Sequence, residues 1–343
     1  MRVPGLRRGG WVGVVAVSTL AVSLGCSRAD SGVRQDVVVN SSVGGTEFVQ
    51  AAAVAAIIEK HTPWRGFAEP TRSHVAAMPL FRDRQLDLIF VSQSEMYLAN
   101  RGEEYYESVG PTPMRIVAAG AELMFSFFTT PDSGIERIED LAGRKVMWET
   151  EASGVFYWAA KLVLDRYGIR EDVISIPSPA PPDRAEALKA GWVDAYACST
   201  QFQAMEIIHG SVGLRMLDIP REAADWVNAR YPALYPAICP RGYNGGMVTR
   251  DVPVLAASTA LQARADLEDE VVYAVLEAIY DNFDEFSASH VSLEDMTLDR
   301  AVSLRSINPY HTGAIQFFKD RGVWSDEAEA MQGRLLAELG VAR

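Results

Sequence analysis

The chain has 343 residues, 48% apolar and 22% charged, with 32 Lys and Arg against 45 Asp and Glu and a net charge of −13. That balance supplies core for two domains, and without basic clusters it argues against nucleic acid and direct adhesion to anionic lipid. The five histidines are scattered, and no metal-ligand spacing, phosphate loop, dinucleotide fingerprint or nucleophile elbow occurs, so no enzyme activity, cofactor or metal is expected.

Arg2, Arg7 and Arg8 precede an apolar run from Trp11 to Leu24, followed by the polar stretch Ser27 to Asp36. The run has the length of a signal-peptide core and is short for a membrane span, so 1–25 reads as a signal peptide and 26–36 as a flexible tether. Its loss would take the net charge from −13 to −16, because three arginines and no acid leave with it. Ser23-Leu24-Gly25-Cys26 resembles a lipoprotein cleavage site that would anchor the protein to the membrane through a lipidated Cys26. Ordinary cleavage after Ser23 or Gly25, releasing a soluble protein, is the alternative. Either outcome places the mature chain in the periplasm or outside the cytoplasmic membrane. Cys198 and Cys239 are open to one disulfide or to two buried thiols.

Val37 to Asn40 reads as a buried strand, Ser41 to Thr46 as a small-residue loop, and Thr46 to Lys60 as a helix capped by Thr46. Ser73 starts a helix to Arg82 with Pro79 inside it, and Gln85-Leu86-Asp87 leads into the strand Leu88 to Val91. Ser92 to Glu95 caps a further helix, and Glu103 to Tyr106 reads as a surface loop. Arg115 to Ala119 and Leu123 to Thr129 are expected as two strands, Pro131 to Gly134 as a turn, and Ile138 to Gly143 as a short helix. Lys145 to Trp148, Thr150 to Gly154, Phe156 to Tyr167 and Gly191 to Asp194, leading into Ala195 to Cys198, then repeat the opening pattern. From strand to Asp the spacing is 50 in the first copy (Val37 to Asp87) and 48 in the second (Val146 to Asp194). Pro177 to Pro182 is a rigid connector and Tyr231 to Pro240 extended. The chain is mostly helical from Glu268, with Pro309 opening one helix and Trp324 near the start of the last.

Two matching strand–loop–helix units predict an α/β fold of two lobes with a ligand between them, where strand ends and helix N-termini face across a cleft. Lobe one is expected to comprise 37–120 and 245–343, and lobe two 121–244. Crossover strands near Ala118 to Phe127 and Pro240 to Met247 are the expected hinges. Four hydroxyl-rich loops, Ser41 to Thr46, Thr71 to Ser73, Ser92 to Ser94 and Thr150 to Gly154, sit at strand ends. Singly each reads as a helix cap. Together they predict a polar small-molecule cleft built of backbone and hydroxyl donors.

Gly44-Gly45-Thr46, Asp87 to Ser94, Pro131 to Ile135, Leu141 to Val146, Ala152-Ser153-Gly154 and Tyr231 to Ala237 resemble the TAXI family. These are solute receptors of tripartite ATP-independent periplasmic (TRAP) transporters. The resemblance spans nearly all of the chain beyond Val37. It implies a type II periplasmic-binding-protein fold, closure around a small-molecule solute, and delivery to TRAP membrane permease subunits. The match is weakest in the cleft. Glu47-Phe48 follows the G-G-T piece, Thr71-Arg72-Ser73-His74 replaces a G-G-S segment, and Ala152-Ser153-Gly154-Val155 stands where G-S-G-T is usual.

The expected ligand contacts are Gly45, Thr46, Glu47, Arg72, Ser73, Gln93 and Ser94 from lobe one. Those from lobe two are Ser153, Gly154, Val155 and Tyr235. Arg72 is expected either to clamp a carboxylate as a bidentate partner or to lie on the surface, and Glu47 to face an ammonium or hydroxyls or to be a rim acid. The expected function is capture of a small polar, carboxylate-bearing solute. A receptor for an ATP-driven importer, a sensory receptor, or an enzyme on the same two-lobe fold are the alternatives.

Overall fold

The computed structural model describes residues 35–42, 45–148, 155–170, 175–177, 186–200, 204–243 and 246–341. The expected signal peptide, Cys26, Ser153, Gly154 and most of the Pro177 to Pro182 connector lie outside the described residues.

Three parallel strands start the sheet: β1 (Asp36–Ser42), β2 (Arg65–Thr71) and β3 (Leu88–Ser92), with β1 in the middle. A helix follows each strand directly: α1 (Gly45–His61), α2 (His74–Arg82) and α3 (Gln93–Arg101). All three helices therefore begin at the carboxyl ends of their strands, the edge where such sheets bind ligands. Every residue of β3 is buried, as a strand covered on both faces requires. One face packs Val37, Val39, Leu88 and Phe90 against Val54 and Ile58 of α1, and the other packs Ile89 and Val91 against Met78, Phe81 and Met96.

The second half repeats the scheme with β5 (Val146–Trp148), α4 (Val155–Arg166), β6 (Ser175–Pro177) and β7 (Ala195–Ser199), all three strands being parallel. The repeat is carried by the same bond in both copies. Asp87 Oδ2 accepts from Val38 N at 2.9 Å and Asp194 Oδ2 accepts from Lys145 N at 2.7 Å. Each pair is 49 residues apart. In both, the aspartate's own N–H donates back to the same partner's carbonyl, at 3.0 and 2.7 Å. The aspartate ahead of the returning strand thus clips it to the first strand of its unit.

Two long antiparallel strands, β4 (Met114–Thr129) and β10 (Val252–Arg264), run through both halves. Their outer partners change along their length. Ala263 and Leu261 pair with β3, while Leu255 and Val254 pair with β9 (Tyr235–Cys239), and the far end of β4 pairs with β7 and β8 (Arg215–Met216). The described strands form one sheet in the order β2-β1-β3-β10-β4-β7-β5-β6, with β8 added on β4 and β9 on β10. Ile116 and Leu261 belong to the first core, whereas Phe125, Phe127 and Leu255 belong to a second one with Val146, Val163 and Leu217. A third cluster, with Tyr196, Met205 and Val254, covers the other face of the second half. Helices α5 (Ala204–Val212) and α6 (Arg221–Asn228) follow in the second half. Then α7 (Asp269–Asp281), α8 (Phe283–Ser287), α9 (Thr312–Asp320) and α10 (Asp326–Glu338) close the chain, with Val272, Phe286, Phe317 and Met331 in the first core.

Several expectations change. The two strands expected around Gly120 are one, because a Cβ there would stand 2.4 Å from Thr259 Oγ1, so the glycine admits a close strand approach and makes no turn. The second crossing is β10, and Arg241 to Tyr243 is a turn. Met247, Val248, Val252 and Val254 pack in the cluster with Tyr196 and Met205. Thr46 lies inside the first turn of α1, whereas Ser73 and Ser92 do cap α2 and α3, accepting from Ala76 N at 3.2 Å and Ser94 N at 3.3 Å. Pro309 opens no helix; His311 caps α9 instead. Cys198 and Cys239 are buried thiols, not a disulfide. Strands β4 and β10 lie between them, putting their Cα atoms roughly 14 Å apart by strand spacing, twice what a bridge spans.

Candidate functional site

The first turns of α1, α2 and α3 bring three ionisable side chains together. His74 Nε2 lies 3.1 Å from Glu47 Oε2, and its Nδ1 lies 3.7 Å from Glu95 Oε2. Ser42 Oγ, at the end of β1, donates to Glu47 Oε2 at 2.9 Å. Glu95 is buried and accepts from both Tyr105 OH, at 2.8 Å, and Tyr106 OH, at 2.7 Å. The Glu103 to Tyr106 stretch is accordingly no simple surface loop. Tyr106 is fully buried because its hydroxyl satisfies a carboxylate that burial would otherwise penalise.

Burial alone would lower the His74 pKa, but the carboxylates of Glu47 and Glu95 outweigh it and raise the imidazole to about 10. Burial likewise opposes the Glu95 charge, and the His74 imidazolium with the two tyrosine hydroxyls overcomes it, holding the carboxyl below its usual range. At neutral pH this wall of the first half is a protonated histidine between two acids. Sequence reasoning included Glu47 but missed His74 and Glu95. The available signal was their shared position, three residues after the end of the preceding strand.

Tyr231 joins the halves. Its ring packs against both the α2–α3 cluster and the second-half core, 6.2 Å from the Trp158 ring of α4. Burial and the Glu95 charge push its hydroxyl pKa up, while the nearby Ser94 side chain pulls the other way. Its hydroxyl makes no hydrogen bond of ordinary length, and neither does Trp158 Nε1.

Gln93 and Tyr235 meet across the halves. They line a gap of about 10 Å³ with Pro232, Ala233, Ser258, Arg305 and Ile307, room for about one water. Gln93 is 2% exposed. Its Oε1 accepts from Ile307 N at 3.1 Å and its carbonyl from Asn308 Nδ2 at 2.7 Å, yet Nε2 donates to nothing. Tyr235 OH donates to Glu122 Oε1 at 2.8 Å and lies 2.8 Å from Ser258 Oγ, which then donates to it.

Of the other expected contacts, Ser94 is buried beside this region and Val155 is buried at the start of α4. Thr46 is exposed on the first turn of α1, where Gly45 opens the helix, and Ser73 is taken up by its cap. Arg72 is exposed at the end of β2 and makes no hydrogen bond or ion pair among the described residues.

A larger groove of about 580 Å³ lies over α7, α9 and α10. Several of its polar groups are engaged: Thr312 with Asp269, Lys319 with Glu329 at 3.0 Å, and Gln332 with the Tyr310 backbone. One buried unpaired donor, Gln93 Nε2, belongs to a residue lining the gap beside Tyr235. A deeply buried N–H without a partner costs about 1–3 kcal/mol, so Gln93 Nε2 gives the gap a need for an acceptor, while Gln262, Tyr280 and His311 also carry buried polar atoms without a partner. Among the described residues there is no group of three or more His, Cys, Asp or Glu side chains able to hold a metal, and no helix long and apolar enough to cross a membrane.

Parallel strands on either side of two long crossing antiparallel strands form the α/β fold of periplasmic solute-binding proteins. The chain is similar to PhnD1 from Prochlorococcus marinus in complex with methylphosphonate (TM-score 0.54, 12% identity, 89% of this chain and 99% of that one). It is also similar to XAC2383 from Xanthomonas citri bound to ATP (0.51, 11%, 88% and 98%) and to MatC from Rhodopseudomonas palustris with bound malate (0.50, 13%, 90% and 99%). At such identities the likeness is one of fold. The chain belongs to the NMT1-like family, whose model matches residues 39–322.

Proposed function

We propose that this protein is an extracytoplasmic receptor that captures a small polar, carboxylate-bearing solute between its two lobes and delivers it to a TRAP-type permease. On this reading 1–25 is a signal peptide and lipidated Cys26 tethers the receptor to the membrane. Lobe one comprises β1 to β3, the near halves of β4 and β10, and the C-terminal helices; the segments between form lobe two. The observation that carries the reading is the Gln93 amide, buried at the seam with an unpaired Nε2. A donor so placed calls for an acceptor oxygen, and Tyr235, Ser258 and Arg305 line the same gap. The site performs no bond making. It exchanges the solute's water for hydrogen bonds that form when the lobes close.

Gln93→Glu tests this. It keeps the oxygen that accepts from Ile307 N and replaces the unpaired donor with an acceptor. Solute binding should weaken by about 2–3 kcal/mol, the cost of one opposed buried contact. The experiment is mass spectrometry of the small molecule released from denatured protein, followed by calorimetric titration of that molecule into both forms. Equal affinities would mean that Gln93 Nε2 does not meet the solute.

A further inference from the structure

The crossing of the two long strands carries a charged network. Glu122 of β4 and Ser258 of β10 face each other in register, beside the shift between Ser258 and Ala260. Glu122 Oε1 accepts from Tyr235 OH of the second half and, at 3.4 Å, from Arg305 Nη1 of the first. The Arg305 guanidinium lies 5.0 Å from the Tyr235 ring centroid. Arg305 rides on a turn fixed by Gln93 itself, through Ile307 N and Asn308 Nδ2, and by Ser303 N donating to Tyr310 OH at 2.8 Å. The cation and the unpaired amide therefore border one gap and are held by one scaffold.

Arg305 is weakly committed to Glu122. The contact is long and through one nitrogen, the oxygen already receives a phenol, and the Arg305 side chain is 62% exposed. An exposed pair of that geometry contributes little, and a guanidinium has five donors in a fork suited to a carboxylate. The gap has room for about one water-sized atom, so Gln93 and Arg305 can share one acceptor oxygen there.

We propose that Arg305 and Gln93 Nε2 form the anion subsite of the cleft, and that the solute's carboxylate takes Arg305 over from Glu122 as the lobes close. The inference rests on the cleft being the solute site. It assigns the charge contact to Arg305 in place of Arg72, and makes Glu122 the group that the carboxylate displaces. One anion replaces another at the guanidinium, and Glu122, whose side chain is 35% exposed, keeps the Tyr235 hydroxyl at 2.8 Å.

The test is calorimetric titration of wild type, Arg305→Gln, Arg305→Lys and Arg72→Gln. The panel is two-to-six-carbon carboxylates, their amides, methylphosphonate and methanesulfonate, together with any co-purified solute. Wild type should bind a carboxylate and prefer it to its amide. Arg305→Gln should bind that acid at least about tenfold more weakly and lose most of the preference, with Arg305→Lys intermediate and Arg72→Gln unchanged. An unaltered melting temperature of unliganded Arg305→Gln would show that the loss is not misfolding. Unchanged affinity and preference in Arg305→Gln overturn the proposal, as does a loss confined to Arg72→Gln, or a preference for the tetrahedral anions. Failure of wild type to bind any compound, co-purified solute included, overturns the cleft reading itself.

Discussion

Glu95→Ala should destabilise the protein by about 3–5 kcal/mol, the range for removing one partner of a buried ionic contact. The carboxylate serves Tyr105 and Tyr106 at 2.8 and 2.7 Å and neutralises His74, so its loss leaves two buried hydroxyls and a cation short of partners. Glu95→Gln keeps one acceptor oxygen and should cost about half as much. The same network predicts a pH dependence. His74 has a folded-state pKa of about 10, against roughly 6.5 for an unfolded histidine. A raised pKa means that the folded state holds the proton more tightly. Its stabilisation is therefore complete below about pH 6.5 and is lost as pH rises through 10. Urea midpoints of the wild type should fall between pH 7 and 10, and His74→Gln should flatten that slope. A flat wild-type profile would mean a neutral histidine and a wrong account of the wall.

Asp87→Ala should cost about 3 kcal/mol and Asp194→Ala about 1 kcal/mol, although the two residues occupy equivalent places in the repeat. Both accept a strand N–H. Only Asp87 also meets a buried cation, its Oδ1 standing 3.1 Å from Nε of Arg264, whose side chain is 7% exposed. Burial raises the Asp87 carboxyl above its ordinary value, with the Val38 N–H and the Arg264 guanidinium pulling back in part. Arg264 retains Asp266 at 2.7 Å, which keeps the loss below that of a fully stranded charge. Denaturant unfolding of the two variants measures the difference. Equal losses would show that the ion pair adds nothing to the clip.

The repeat was legible because a backbone clip needs an aspartate at a fixed remove from its strand, which put Asp87 and Asp194 at matching positions. Strand ends and helix caps were legible for the same local reason, as at Ser73 and Ser92. What escaped depends on distant partners. Gly120 looked like a break because its neighbour Thr259 lies 139 positions away. The Tyr105–Tyr106 pair looked solvent-facing because nothing near it in sequence announces the buried Glu95. Arg305 carried no local pattern at all, and only the return of β10 and the Gln93-anchored turn bring it to the seam. Arg72, whose neighbours suggested a clamp, points to no described partner.

The central claim is that the solute sits at the seam of the two half-sheets. Hydrogen–deuterium exchange with and without the tightest-binding compound tests it directly. Protection should appear together in 92–97, 231–236 and 303–308, the three segments carrying Gln93, Tyr235 and Arg305. Protection confined to 269–273, 312–319 and 329–336, the walls of the larger helical groove, would contradict it.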